Sequence, residues 1–218
     1  MAGRPRYAAG VVPVQLPPAL PPLLDLAGVA VFALSGALVA ARLRQTFVTM
    51  CFFALVTGVG GGTVRDLFIG AAPFWLHDDA VAAVILGVAL VAWFTPHGWW
   101  ENRLLEWADA AGLATYSVLG TAKALAFGVD PLPAAILGVV SGCAGGIFRD
   151  LLAGLPSILM RPELYVTAAA LGAVLCAGGS LLPLPHALVW PLAALAAFAL
   201  RGAALTWSLE LPTYWRAR

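Results

Sequence analysis

The chain has 218 residues, of which 61% are hydrophobic and 11% charged, with a mean hydropathy of +0.91. So few charges cannot cover a water-soluble domain of this size, so the chain reads as an integral membrane protein of about seven spans with no room for a second soluble domain. A net charge of +1 offers no basic face to a nucleic acid, which is excluded as a partner.

Residues 1–21 read as an N-terminal arm. Arg4 and Arg6 precede a Pro-rich stretch with no clean apolar core and cleavage site, so no cleaved signal peptide is expected. Spans are apolar runs bounded by charges, Pro or aromatic belts. The first is predicted over Pro22–Ala41, ending at Arg42 and Arg44, and the second over Phe47–Ile69. The third covers Ala80–Thr95, between His77-Asp78-Asp79 and the interfacial pair Trp99-Trp100. The fourth covers Ala110–Phe127 and carries Lys123, the only lysine. The fifth covers Pro131–Leu152, the sixth Leu164–Leu182, and the seventh Ala187–Leu209 with Arg201 inside it. Cys51, Cys143 and Cys176 all fall in apolar runs without paired spacing and read as packing residues.

An internal repeat organises these spans. Shifted by 84 residues, Asp25 falls on Asp109, Gly28 on Gly112, Phe32 on Tyr116 and Gly36 on Gly120. Further on, Gly61 falls on Gly145, Gly62 on Gly146, Arg65 on Arg149, Asp66 on Asp150 and Gly70 on Gly154, with no gap. One period holds three spans, an odd number, so the second copy must cross the membrane in the opposite sense. The fold class is an all-α polytopic membrane protein: seven transmembrane helices, two inverted three-helix repeats plus a seventh helix. The units are residues 22–104 and 105–183, followed by the seventh helix and tail at 184–218. Loop arginines 42, 44, 103, 161, 216 and 218 lie on one side and Arg4 and Arg6 on the other. The positive-inside rule then puts the N-terminus outside and the C-terminus in the cytoplasm.

The second and fifth spans each carry a glycine cluster, TGVGGGTVRD (Thr57 to Asp66) and SGCAGGIFRD (Ser141 to Asp150). Each glycine costs a helix roughly 1 kcal/mol relative to Ala, so a break is expected there. Freed carbonyls would have to face protein or a water-filled cavity and would form a cation site. Close helix packing through small residues is the competing reading. Arg65-Asp66 and Arg149-Asp150 read either as gates at the pore ends or as structural ion pairs. Neighbours on a helix do not face each other, so Asp25, Asp109 and Glu106 are the expected partners of the arginines. Asp25 and Asp109 otherwise default to N-caps. Lys123 either snorkels to the interface or places a charge beside the permeation path. Its repeat partner is Val39, so it breaks the internal symmetry. Arg201 reads the same way. No enzyme is found. His77, His97 and His186 share no ligand spacing, Ser141 lacks the surroundings of an intramembrane serine protease, and the Gly-rich runs lack the ending of a phosphate loop. No cofactor and no resident metal are expected.

The segments FALSGALVA (Phe32 to Ala40), GGGTVRDLFIG (Gly60 to Gly70), GTAKAL (Gly120 to Leu125) and GGIFRDLLAG (Gly145 to Gly154) resemble the TRIC family, the trimeric intracellular cation channels with prokaryotic homologues. The resemblance covers about Asp25 to Leu182. It implies a homotrimer in a membrane, in the inner membrane for a prokaryote, each protomer with its own K⁺-permeable monovalent cation pore. Membrane lipid and K⁺ are then the expected partners. The resemblance places Gly60, Gly61, Gly62, Gly145 and Gly146 at the pore centre on kinked helices. Thr57 and Ser141 lie beside them, and Lys123 becomes a regulatory charge. Inverted repeats with broken helices serve carriers equally well, so a carrier for a small solute such as glycine is the alternative.

Overall fold

The structure, a computed structural model, describes residues 22–95 and 103–212. The expected N-terminal arm, the Trp99-Trp100 pair and the arginines at 4, 6, 216 and 218 lie outside the described residues. Seven α-helices follow in order: α1 Pro22–Arg42, α2 Phe47–Phe68, α3 Asp79–Phe94, α4 Leu104–Ala126, α5 Pro131–Leu152, α6 Val166–Ser180 and α7 His186–Trp207. Short 3-10 turns at Phe74–His77 and Ile158–Met160 follow α2 and α5. Four helices (α1, α2, α5 and α7) are long and apolar enough to cross a membrane by length and composition. α3 and α6 are apolar but shorter, with 16 and 15 residues. α4 has 23 residues and carries Glu106, Asp109 and Lys123. It begins six residues before the apolar run that defines it in sequence. Asp109 is buried against Arg149, which satisfies a charge that hydropathy alone counts as a boundary.

Reciprocal contacts reveal the inverted repeat. A Cβ on Gly28 of α1 would meet the Tyr116 ring of α4 at 2.6 Å, and one on Gly112 of α4 would meet the Phe32 ring of α1 at 2.7 Å. Under the 84-residue shift each contact becomes the other. The Phe32 and Tyr116 rings stand 5.4 Å apart on the axis between them. Along this pairing the α4 partner moves backward as α1 moves forward, so the two helices are antiparallel. α2 and α5 cross the same way. Gly61 packs on the Ser141 carbonyl, and Gly145 on that of Thr57, where a Cβ would come within 2.7 Å. The second three-helix unit is therefore inverted relative to the first, and α2 and α5 meet on the pseudo-two-fold axis.

The glycine clusters do not break their helices. α2 and α5 are continuous α-helices through Gly58–Gly62 and Gly142–Gly146, with no left-handed residue inside them. The expectation of freed carbonyls is corrected on this point. The cost of the glycines is offset by main-chain packing that a Cβ would forbid, which is the small-residue reading. Left-handed glycines appear instead just beyond the ends, at Gly70 (φ 70°) and Gly154 (φ 65°), where each chain turns out of its helix. Asp25 and Asp109 are not N-caps either. They lie inside α1 and α4, which start at Pro22 and Leu104. α7 has no counterpart in the repeat and packs on the second unit. Its Ala193 joins Val118, Ala122 and Cys176 in one apolar cluster, and its far end is tied to the α5–α6 loop by Leu211 N–H donating to the Pro162 carbonyl at 2.6 Å. Cys143 and Cys176 are buried, Cys51 is half-buried, and all three are free.

Candidate functional site

The polar residues of the repeat fall into two clusters at opposite ends of the α2–α5 crossing. Both rest on the same local device. The last turn of α2 places Arg65 and Asp66 side by side, and both are fully buried. Arg65 Nε donates to Asp66 Oδ1 at 2.8 Å, and Asp66 Oδ2 accepts the Phe74 N–H at 2.9 Å. In α5, Arg149 Nε donates to Asp150 Oδ1 at 2.9 Å, and Asp150 Oδ2 accepts the Ile158 N–H at 2.8 Å. Each aspartate thus holds its arginine with one oxygen and, with the other, the 3-10 turn eight residues on. The expectation that each arginine must look beyond its neighbour is corrected. A long guanidinium can fold back along its own helix when the partner's carboxylate is fixed by a third group.

The clusters differ in what else they hold. At the second, Arg149 Nη1 bonds Asp109 of α4 and the Ser35 hydroxyl of α1, so one expected arginine–acid pair is present. At the first, Asp25 makes no equivalent bond: its Oδ1 is buried with no hydrogen-bond partner among the described residues. Lys123 reaches across instead, with Nζ 2.8 Å from Asp66 Oδ1. The Lys123 ammonium and the Arg65 guanidinium both stand 5.9 Å from the Phe74 ring centroid. Lys123 therefore turns into the protein rather than snorkelling outward. Glu106 is not an arginine partner inside the bundle. It faces Arg103 at 3.9 Å on the surface.

Between the clusters lies the glycine seam. The Thr57 and Ser141 carbonyls face the opposite helix at Gly145 and Gly61. Their hydroxyls turn away, Thr57 Oγ1 toward Gly36 of α1 and Ser141 Oγ toward Gly120 of α4, and neither has a hydrogen-bond partner among the described residues. Gly60 lies under the Phe148 ring, Gly62 under Phe74, and Gly146 beside the Tyr165 hydroxyl and Asp109. A further buried charge, Arg201 of α7, binds Glu163 at 2.7 Å and stands 5.2 Å from the Tyr165 ring centroid. Ser35, Phe74 and Tyr165 carry no repeat signal, since their shifted positions hold the unlike residues Leu119, Ile158 and Val81, and Glu163 falls on another acid, Asp79, outside the gapless stretch of matches. They are visible only once the helices are packed.

The family model described as glycine transporter matches residues 22–97 and 106–180, one copy on each three-helix unit. A UPF0126 membrane protein of Vibrio cholerae is 36% identical over 198 residues, covering 88% of this chain and 82% of the relative. The UPF0126 inner membrane protein YadS of Escherichia coli is 35% identical over 201 residues, covering 88% and 94%. The solved TRIC trimeric intracellular cation channel orthologue from Rhodobacter sphaeroides is 39% identical, with a TM-score of 0.79 over 86% of this chain and 97% of that one. The chain therefore belongs to the membrane-protein family that the glycine-transporter model describes, and it resembles the prokaryotic TRIC proteins in sequence and fold.

Proposed function

We propose that the protein is a K⁺-permeable monovalent cation channel, acting as a homotrimer with one pathway along the α2–α5 seam of each protomer. What carries the reading is the 39% identity over 86% of the chain to a cation channel orthologue. The physical features agree with it. The seam has no interlocking side chains where main chain meets main chain, so α2 can part from α5 there without side chains having to unlock from one another. The carbonyls of Thr57 and Ser141, bonded within their own helices, would face the gap and offer a passing cation their remaining lone pairs. Backbone contact at Gly61 and Gly145 leaves no room for an ion at the crossing in this conformation, so conduction requires that parting. Asp66 with Lys123 at one end, and Asp109, Asp150 and Arg149 at the other, are then charges at the two mouths, and Asp25 completes the first of them.

Loop charge orients the chain in this reading. The end with Arg42, Arg44, Arg103 and Arg161 faces the cytoplasm, and the end with Asp78, Asp79 and Asp130 faces out. The site for these proteins is a prokaryotic inner membrane, as the name of the E. coli relative suggests. The description of the matching family favours one second reading, a glycine carrier.

Planar-bilayer recording of the purified protein under a K⁺ gradient separates the two. Unitary currents that reverse near the K⁺ equilibrium potential are expected. Saturable glycine uptake into proteoliposomes with no unitary current would establish the carrier instead.

A further inference from the structure

The two three-helix units differ most in what covers them. In the second unit, α7 seats in the groove between α4 and α6. A Cβ on Gly172 would meet the Ala197 Cβ of α7 at 3.0 Å, and Val118 packs with Ala193. The counterpart groove in the first unit lies between α1 and α3. It is lined by Ala30, Leu34, Val84, Gly87, Val88 and Val91, has a volume of about 430 Å³ and exposes no polar surface. No described element covers it, and a Cβ on Gly87 would meet nothing within 4 Å. A second cavity, bordered by Ala41, Arg44, Met50, Trp93 and Thr95, lies at the far end of the same two helices and reaches the start of α2. Ala41 lies seven residues beyond Leu34 and Thr95 four beyond Val91, each pair on one helical face, so the second cavity stands in line with the first. The eleven residue steps from Ala30 to Ala41 span roughly 16 Å, about one leaflet of a hydrocarbon core roughly 30 Å thick.

The mouth carries a second, independent feature. Arg44 has φ 53°, in the left-handed region that glycine, and less often Asn or Asp, adopts readily and an arginine does not. The repeat partner of Arg44 is Gly128, at φ 79° in the equivalent turn after α4. The first unit thus keeps an arginine where the second has the residue the backbone favours. Such a strained position points to a task for its side chain. Here it presents an exposed guanidinium at the mouth of the groove, with exposed Trp93 beside it at interfacial depth.

We propose that the α1–α3 groove is a binding site for an anionic phospholipid, one acyl chain lying along Leu34, Gly87 and Val91 and the headgroup phosphate held by Arg44. The lipid does for the first unit what α7 does for the second: it fills the groove between the first and third helices. The neutral apolar wall selects an acyl chain, and the guanidinium selects the negative headgroup.

Native mass spectrometry of the delipidated full chain, titrated with phosphatidylglycerol or phosphatidylcholine of identical chains, tests this. The wild-type protein is expected to bind its first phosphatidylglycerol about five-fold more tightly than phosphatidylcholine, as one juxtamembrane arginine provides. Arg44→Gly installs the residue of the equivalent turn, so it preserves the fold. It should remove the preference and leave phosphatidylcholine binding intact. Gly87→Phe fills open space and should weaken both lipids. The proposal is overturned if the wild-type protein shows no preference, if Arg44→Gly retains it, or if Gly87→Phe leaves lipid binding unchanged. It is also overturned if Gly87→Phe dissociates the oligomer without loss of lipid, which would assign the groove to a second copy of the chain.

Discussion

Among single residues, Asp66 does the most. Its two oxygens hold a fully buried arginine, a lysine from another helix and the amide that starts the next turn. Asp66→Asn leaves the Arg65 guanidinium buried without a counter-charge and should destabilise the protein by about 3–5 kcal/mol. Lys123→Met removes a partner but leaves Asp66 neutralised by Arg65, and about 1–2 kcal/mol is expected. Thermal unfolding of both variants in the same detergent checks the order. Equal losses would mean that the lysine, not the arginine, is the principal counter-ion. At this scale the sequence marked Asp66, Arg65 and Lys123 as special through the repeat and through Lys123's departure from it. Sequence spacing did not identify the partners, because Arg65 folds back onto its neighbour and Lys123 crosses from α4. Both are consequences of packing.

The helices themselves were legible from hydropathy. Six of the seven begin within two residues of the apolar run that marks them. The exception, α4, starts early because Asp109 is paired inside the bundle and does not end the helix there. The state of the glycine helices was not legible. Propensity argues for a break at Gly60–Gly62, but propensity is a local term, and the contact that offsets it at Gly61 comes from Ser141 in the other three-helix unit. That contact sets different costs for the glycines. Gly61→Ala and Gly145→Ala each drive a methyl group into the carbonyl of the opposite helix and should destabilise by about 1–3 kcal/mol. Gly87→Ala meets nothing and should stabilise by up to about 1 kcal/mol through helix propensity. Chemical or thermal unfolding midpoints of the three variants measure this. A Gly61→Ala protein as stable as Gly87→Ala would contradict the seam.

For the whole molecule, the inverted repeat makes equivalent turns emerge on opposite faces of the membrane. The α1–α2 turn at Gln45 and the α4–α5 turn at Asp130 are both exposed. In a background without Cys51, Cys143 and Cys176, a membrane-impermeant thiol reagent applied to intact cells should label Asp130→Cys and leave Gln45→Cys untouched. Labelling of both from one side would refute the inversion, and labelling of Gln45→Cys alone would reverse the orientation. The inversion was legible because an odd number of spans per repeat admits no other topology. The uncovered α1–α3 groove was not, since it exists only by comparison with the unit that α7 covers.

In the proposed channel, ions cross along the α2–α5 seam where Gly61 meets Ser141 and Gly145 meets Thr57. Single-channel recording of Gly61→Leu and Gly145→Leu proteins, selected for monodisperse assembly, tests it most directly. The two positions are one contact seen from both sides of the pseudo-two-fold, so both variants should lose the K⁺ current of the wild-type protein, while Gly87→Ala keeps it. Wild-type unitary conductance in both leucine variants would show that the seam is not the path.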